Sequence, residues 1–400
     1  DHRDLHRVDR RQRQMCIRDR DNIYSSSKNS LIMIYCANPS SQYKSYQSEI
    51  EASVLSVMRG NNYILGKEVH DLEQEFANYI GVSCAIGVAN GTDAIEIALR
   101  ALDIGPGDEV ITVSHTAVAT VAAIEATGAK AVLVDIELEF YTLDAFQLEE
   151  VFTPRTKAVI AVHLYGQAAD LDKINAFCKT KNIFLIEDVS QAHGSKYKGK
   201  FLGSFGKVGC FSCYPTKNLG AIGDAGLITT NDSDLENKIR MIREYGWKNR
   251  ISQLSGRNSR LDEIQAAVLR IKLKYLDLDN QKRNDLAHSY SKLLSHTPLE
   301  LPKIRPDGQH VFHQFVAQVE NRTQLINHLV EKGVQPGIHY PVPIHLQPAY
   351  KNRISLASKM SVTEKIAQKI ISLPVYPGLS TKDANIVVSA LIDFFDTQPA

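Results

Sequence analysis

The sequence predicts an α/β fold, a mostly parallel sheet flanked by helices with a smaller α+β part at the C-terminal end. Three observations carry this. Between residues 109 and 188, short apolar runs alternate with helical patterns at about 25-residue spacing, the signature of βαβ units. Those runs lack in–out alternation, as strands covered on both faces do. The chain has 400 residues, enough for two or three domains of ordinary size.

Each element has its own warrant. Val69, Leu72, Phe76, Tyr79 and Ile80 keep helical spacing, and Gly81 follows as a terminating residue. Ala89-Asn90-Gly91-Thr92-Asp93 then opens a helix running through Ile95, Ala98 and Leu102. Strands are predicted over 109–113, 131–134, 157–164 and 183–186, with helices over 116–126 and 171–180 between them. A long helix over 261–276 leads out of this core. A helix over 283–294, a strand over 311–319, a helix over 323–332 and a proline-rich loop over 337–348 make the smaller part. The predicted division is an extension over 1–32, a large domain over 33–279 and a small domain over 280–400.

Composition narrows the function. Forty-six Lys and Arg oppose 45 Asp and Glu, so no overall positive field draws nucleic acid. No apolar run approaches the roughly 18 residues of a membrane helix, and no membrane association is expected. Six scattered cysteines, Cys16, Cys36, Cys84, Cys178, Cys210 and Cys213, without a secretory apolar segment ahead of them, point to a reducing cytoplasm. Cys210 and Cys213 form one C-x-x-C with no second pair at zinc spacing, so they read as apolar strand residues and no metal site is expected. Residues 1–32 carry eight basic and five acidic residues, and 10–20 looks like translated adaptor sequence. A transit peptide is poor in acids. The segment is expected to be a disordered, non-native extension, with Met33 a plausible start.

The chemistry should lie at the carboxyl ends of the strands, where parallel α/β sheets bind ligands. Gly91-Thr92-Asp93 opens a helix whose amides and dipole suit a phosphate, although Thr92 or Asp93 serves equally as a plain N-cap. No G-x-G-x-x-G follows a strand, which argues against a dinucleotide enzyme. Asp188 follows an apolar strand and sits at the sheet rim, suited to balance a cation or simply to cap a loop. Lys217 follows Phe211-Ser212-Cys213-Tyr214-Pro215-Thr216 in a glycine-rich loop. Burial would favour its neutral, nucleophilic form. A phosphate turn, a strand-end Asp and a Lys in that order are what pyridoxal phosphate requires.

Residues 36–390 resemble the DegT/DnrJ/StrS family of pyridoxal-phosphate-dependent sugar aminotransferases. The resemblance rests on Tyr63-Ile64-Leu65-Gly66, Ala89-Asn90-Gly91-Thr92-Asp93-Ala94, Glu187-Asp188 with Gln191-Ala192-His193-Gly194, and Ser212 with Tyr214-Pro215-Thr216-Lys217-Asn218-Leu219-Gly220. It rests also on Asn258-Ser259-Arg260-Leu261-Asp262-Glu263 and His339-Tyr340-Pro341. It implies the type I aminotransferase fold. Lys217 would attach the cofactor covalently and shuttle the proton, Asp188 would pair with the pyridine nitrogen, and Gln191 would pack at the ring near its phenolic oxygen. Ser212, Gly91 and Thr92 would hold the phosphate. Asn258 would reach the phosphate of the neighbouring subunit, which makes a homodimer the active unit. Tyr214 and His339 would face the sugar, while His193 and His313 read as packing residues or as supports behind the residues that touch the ligand.

One departure stands out. Where the family places a ring-stacking aromatic this chain has Ala117, leaving His115 to compensate or the stacking weaker. Keeping Lys217, where dehydratase relatives have histidine, favours transamination. The run 337–347 looks most like members that aminate C-3 of a dTDP-linked 3-keto-6-deoxyhexose, with glutamate as donor. Amination at C-4 and a non-catalytic, cofactor-binding regulator are the alternatives. The regulator would need a DNA-binding region, which the two domains leave no room for.

Overall fold

The computed structural model describes residues 33–351, 353–356 and 359–397. The expected extension over 1–32, with Cys16, lies outside them.

Seven strands form most of one sheet: β1 (Cys84–Val88), β2 (Glu109–Val113), β3 (Lys130–Val134), β4 (Thr156–Val162), β5 (Phe184–Asp188), β6 (Val208–Ser212) and β7 (Gly226–Thr230). Two further strands, β8 (Phe315–Gln318) and β10 (Ile370–Leu373), pair antiparallel with each other, and β9 (Ser355–Leu356) adds to the edge of the large sheet. The large-sheet order is β9-β3-β2-β4-β5-β6-β7-β1. Every neighbouring pair from β9 to β6 is parallel, and β7 runs antiparallel to both β6 and β1. The expected α/β architecture with a mostly parallel sheet is therefore present. The strands read as unbroken apolar runs because both faces are covered: Val110, Ile111, Val159, Ile160 and Ile186 are fully buried.

Local signals set most boundaries. Helix α1 (Lys67–Ile80) buries Val69, Leu72, Phe76 and Ile80. It stops at Gly81, which takes φ 79° and returns its amide to the Ala77 carbonyl. Helix α2 (Gly91–Ala101) starts after Asn90, whose side chain accepts the Asp93 amide at 2.8 Å. The N-cap is thus Asn90, not Thr92 or Asp93. Helix α3 (Val118–Ala126) begins two residues later than predicted because Ala117 stays extended. The predicted long helix is α4 (Glu263–Lys274), followed past Tyr275 by α5 (Leu276–Leu293).

The clearest difference lies at the strand predicted over 311–319. Only Phe315–Gln318 is strand. The Val311 amide donates to Gly166 and the Gln314 amide to Tyr165, so 311–314 packs against the loop after β4 instead of extending the small sheet. No helix among the described residues is long and apolar enough to cross a membrane.

Candidate active site

A cavity of about 360 Å³ opens at the carboxyl ends of β4, β5 and β6. Gly91, Thr92, Asp188, Gln191, Ser212, Tyr214, Lys217 and His339 all line it. Eight of the nine predicted site residues, spread over 250 positions of sequence, therefore meet in one place.

Asp188 is the last residue of β5 and only 5% exposed. Its Oδ2 accepts from Thr120 Oγ1 at 2.9 Å and its Oδ1 from the Ser190 amide at 3.2 Å. Both bonds fix the direction of the carboxylate. Ser212 ends β6 and packs against Gly91, where an added Cβ would meet the Ser212 Cβ at 2.5 Å. Glycine at 91 is thus required by close approach. The first amides of α2 open between Gly91, Thr92 and Ser212, a place with unsatisfied donors and a positive helix end.

Lys217 rides on a loop folded back on itself. Its amide donates to Tyr214, that of Ala221 to Cys213, and that of Cys213 to Ala225. The loop is anchored from outside by Lys272, a buried side chain of α4 whose Nζ donates to the Gly220 carbonyl at 2.7 Å. Asn218 adds bonds to Asn280 and Val311. Burial pushes the Lys217 amine down to about 8, against the opposing pull of the Asp188 charge. The neutral fraction near neutral pH is then far larger than for a free lysine, which favours a nucleophilic amine. Cys213, beside it, is buried and free, its thiol pushed up to about 12 by burial.

The other wall comes from the C-terminal third of the chain. His339 Nδ1 lies 2.8 Å from Ser372 Oγ, and burial, with the Lys217 charge, lowers its pKa to about 4, leaving a neutral imidazole. Gln191 accepts from the Tyr165 amide at 2.8 Å and donates to the Tyr340 hydroxyl at 3.0 Å, so its carboxamide is committed to protein partners. Tyr214 stands at the mouth, 52% exposed.

Asn258 is the predicted residue that the structure leaves out. It is exposed, bridges to Glu244, and does not line the cavity. Near it an exposed hairpin pairs Trp247–Lys248 with Ile251–Ser252. His115 does not compensate for Ala117. Its Nε2 sits 2.6 Å from the Tyr165 hydroxyl, which in turn donates to the His339 carbonyl, and Thr116 and Ala117 face the cavity instead. His193 is buried and does not line the cavity, whereas His313 lines it and bonds Asn218 at 3.1 Å. Sequence reasoning missed Asn90, Thr116, Thr120, Gln314 and Tyr340. Of these, Asn90 and Tyr340 sit inside motifs already quoted, and the rest carry no local signal.

The site has the chemistry of a Schiff-base enzyme: a depressed lysine, a fixed carboxylate and an anion-binding helix end around one cavity. The sequence profile of the DegT/DnrJ/EryC1/StrS aminotransferase family matches residues 44–392. A dTDP-3-amino-3,6-dideoxy-alpha-D-galactopyranose transaminase of Aneurinibacillus thermoaerophilus is 45% identical over 347 residues, covering 86% of this chain and 95% of the relative. A UDP-N-acetyl-3-dehydro-alpha-D-glucosamine 3-aminotransferase of Acidithiobacillus ferrooxidans is 40% identical, over 83% of this chain and 90% of the relative. The crystal structure of Streptomyces venezuelae DesV in complex with a ketimine intermediate superposes with a TM-score of 0.89 at 39% identity, covering 93% of this chain and all of that one. The chain therefore belongs to the DegT/DnrJ/EryC1/StrS aminotransferase family, whose enzymes use pyridoxal phosphate, and it is an aminotransferase acting on a nucleotide sugar.

Proposed function

We propose that the protein transfers the amino group of glutamate to the C-3 keto group of a dTDP-linked 3-keto-6-deoxyhexose, with pyridoxal phosphate held at Lys217. The observation that carries the reading is the pairing of a depressed Lys217 amine with the Asp188 carboxylate across one cavity. The residues fit the cofactor. Asp188, fixed by Thr120 and Ser190, suits a protonated ring nitrogen. The cradle between Gly91 and Ser212, which a Cβ at 91 would fill, suits a phosphate. When bound, the cofactor supplies an electron sink that lets a proton leave the carbon bearing nitrogen.

The chain's own residues do the rest. Lys217 would hold the cofactor through its amine and, when that amine is free, would serve as the base that moves a proton. Asp188 would face the ring nitrogen. Tyr214 and His339 face the sugar, and Gln191 holds Tyr340 against the cavity. Under this reading residues 33–279 bind the cofactor, and residues 280–400 close the site. Asn258 completes the phosphate cradle of a second copy, so that the active unit is a homodimer, working in the cytoplasm. The exposed hairpin at Trp247–Ser252 and the exposed Asn258 support that arrangement.

Relatives acting at C-3 with different nucleotides support the position of amination more strongly than the nucleotide. The test is purified protein with glutamate and a panel of dTDP- and UDP-linked 3-keto and 4-keto sugars, read by mass spectrometry. An amino-sugar formed from the dTDP-linked 3-keto member is expected. Turnover of 4-keto sugars alone would refute the C-3 assignment.

A further inference from the structure

Gln314 is a cavity-wall residue without an occupation. It is 8% exposed and lines the cavity beside His313. Its backbone is fixed, with the amide donating to the Tyr165 carbonyl. Its side chain is not. Neither end of the carboxamide hydrogen-bonds to another described residue, and Oε1 is fully buried. Four other polar groups of the same lining are paired: Gln191 with Tyr165 and Tyr340, His313 with Asn218, His339 with Ser372, and Asp188 with Thr120 and Ser190. A buried polar group left unpaired costs stability, and the few that persist in folded proteins call for an explanation. Leucine or methionine would fill the same volume without that cost.

The chemistry of the cavity says what the carboxamide meets. Among the described residues Lys217 is the only lysine or arginine in its lining, against the acids Asp188 and Asp224, so the wall at Gln314 adds no positive charge to draw a carboxylate. A hydroxyl suits the carboxamide because it can accept from Nε2, the end that is not fully buried. We propose that Gln314 is a specificity-determining residue that hydrogen-bonds a hydroxyl of the keto-sugar. This deepens the functional reading above and rests on it. A site built to pair a substrate hydroxyl rejects the analogue lacking it, because the protein group is then buried unpaired.

The test compares the wild type with Gln314→Leu and Gln314→Met, each loaded with pyridoxal phosphate. With the 3-keto sugar that the wild type turns over best, KM is expected to rise about tenfold, the factor that corresponds to one lost hydrogen bond. The glutamate half-reaction, followed by absorbance, should be unchanged, and the melting temperature without sugar should stay level or rise. Monodeoxy keto-sugars need no variant: one of them should lose about tenfold against the wild type and nothing further against Gln314→Leu. Wild-type KM in a folded Leu or Met variant, or equal treatment of all the deoxy sugars by the wild type, overturns the assignment while leaving the transaminase reading intact. A lowered melting temperature with unchanged KM makes Gln314 a packing residue and overturns it too. Absence of wild-type turnover on every sugar tested overturns both.

Discussion

The cavity has two walls of different origin. One is made where strands end: Asp188 closes β5, Ser212 closes β6, and Lys217 lies in the loop that follows. The other is made by segments that return from far along the chain: His313 and Gln314 just before β8, and His339 and Tyr340 in the loop after Val334–Gln335. The first wall holds the groups suited to bond-making chemistry, each carried on a strand end or the loop that follows it. The second is held by contacts across more than a hundred residues, such as that of Tyr165 with His339. Strand ends are rigid and positionally exact platforms, whereas a returning segment can change its side chains without disturbing the sheet. The comparison places the bond-making groups on the first wall and, Tyr214 apart, the choice of substrate on the second.

The largest effect should come from the first wall. Lys217→Ala is expected to remove transamination by about 10⁴-fold or more, as loss of a covalent nucleophile does. The fold should persist, because the Lys217 side chain makes no hydrogen bond to another described residue, and circular dichroism and melting should confirm it. Borohydride should fix the cofactor on Lys217 in the parent protein, and peptide mapping that found it on Lys272 or elsewhere would break the assignment. Asp188→Asn comes next, at about a hundredfold, since an amide cannot balance a ring cation in a buried site. The adduct on Lys217 should survive that change. Near-normal turnover would mean that a group on the second wall serves the ring nitrogen.

The two walls also differ in how far the sequence reveals them. Asp188, Ser212 and Lys217 were legible because a strand pattern, a rim position and a glycine-rich loop are all local features. The sheet was legible for the same reason, and β2 falls where its apolar run places it. Gln314 was not. It looks like one residue of a strand running through 311–319, and only the pairing of 311–314 with the loop after β4 lifts it out. Thr120 reads as an ordinary helical residue until its hydroxyl is seen on Asp188. His115 looked able to replace the missing aromatic, yet Tyr165 captures it. Contacts set by chain return leave no periodicity to read.

A smaller effect concerns pH. The Lys217 amine is lowered from its ordinary 10.5 to about 8, chiefly by burial. Only the neutral amine attacks, so cofactor capture by the cofactor-free protein should rise about tenfold per pH unit below about 8 and level off above it. Stability carries the same sign. The folded state disfavours the charged amine, so its cost is fully present below about 8 and is relieved as pH rises from there toward 10.5. Stopped-flow absorbance against pH checks the first point. A midpoint near 10.5 would show that the wall leaves Lys217 solvated.

The smallest effect probes a third contributor, which neither wall of a single chain contains. Asn258 is exposed and outside the cavity. If it completes a neighbour's phosphate cradle, Asn258→Ala should weaken cofactor retention about tenfold, the lower end for one hydrogen bond to an anion. Lys217 chemistry should be untouched at saturating cofactor. Saturation with cofactor should also favour the assembled form, because a ligand that binds only that form shifts the equilibrium toward it. Complementation separates this from a local effect. Lys217→Ala and Asn258→Ala proteins, mixed and allowed to exchange subunits, form a heterodimer in which one site has both residues and the other has neither. At limiting cofactor, activity per Lys217-bearing chain should then exceed that of the Asn258→Ala homodimer. If exchange is proven by mass and no such gain appears, the cavity is complete within one chain. Phosphate binding would then fall to Gly91, Thr92 and Ser212 alone, and the two-wall description would need no partner.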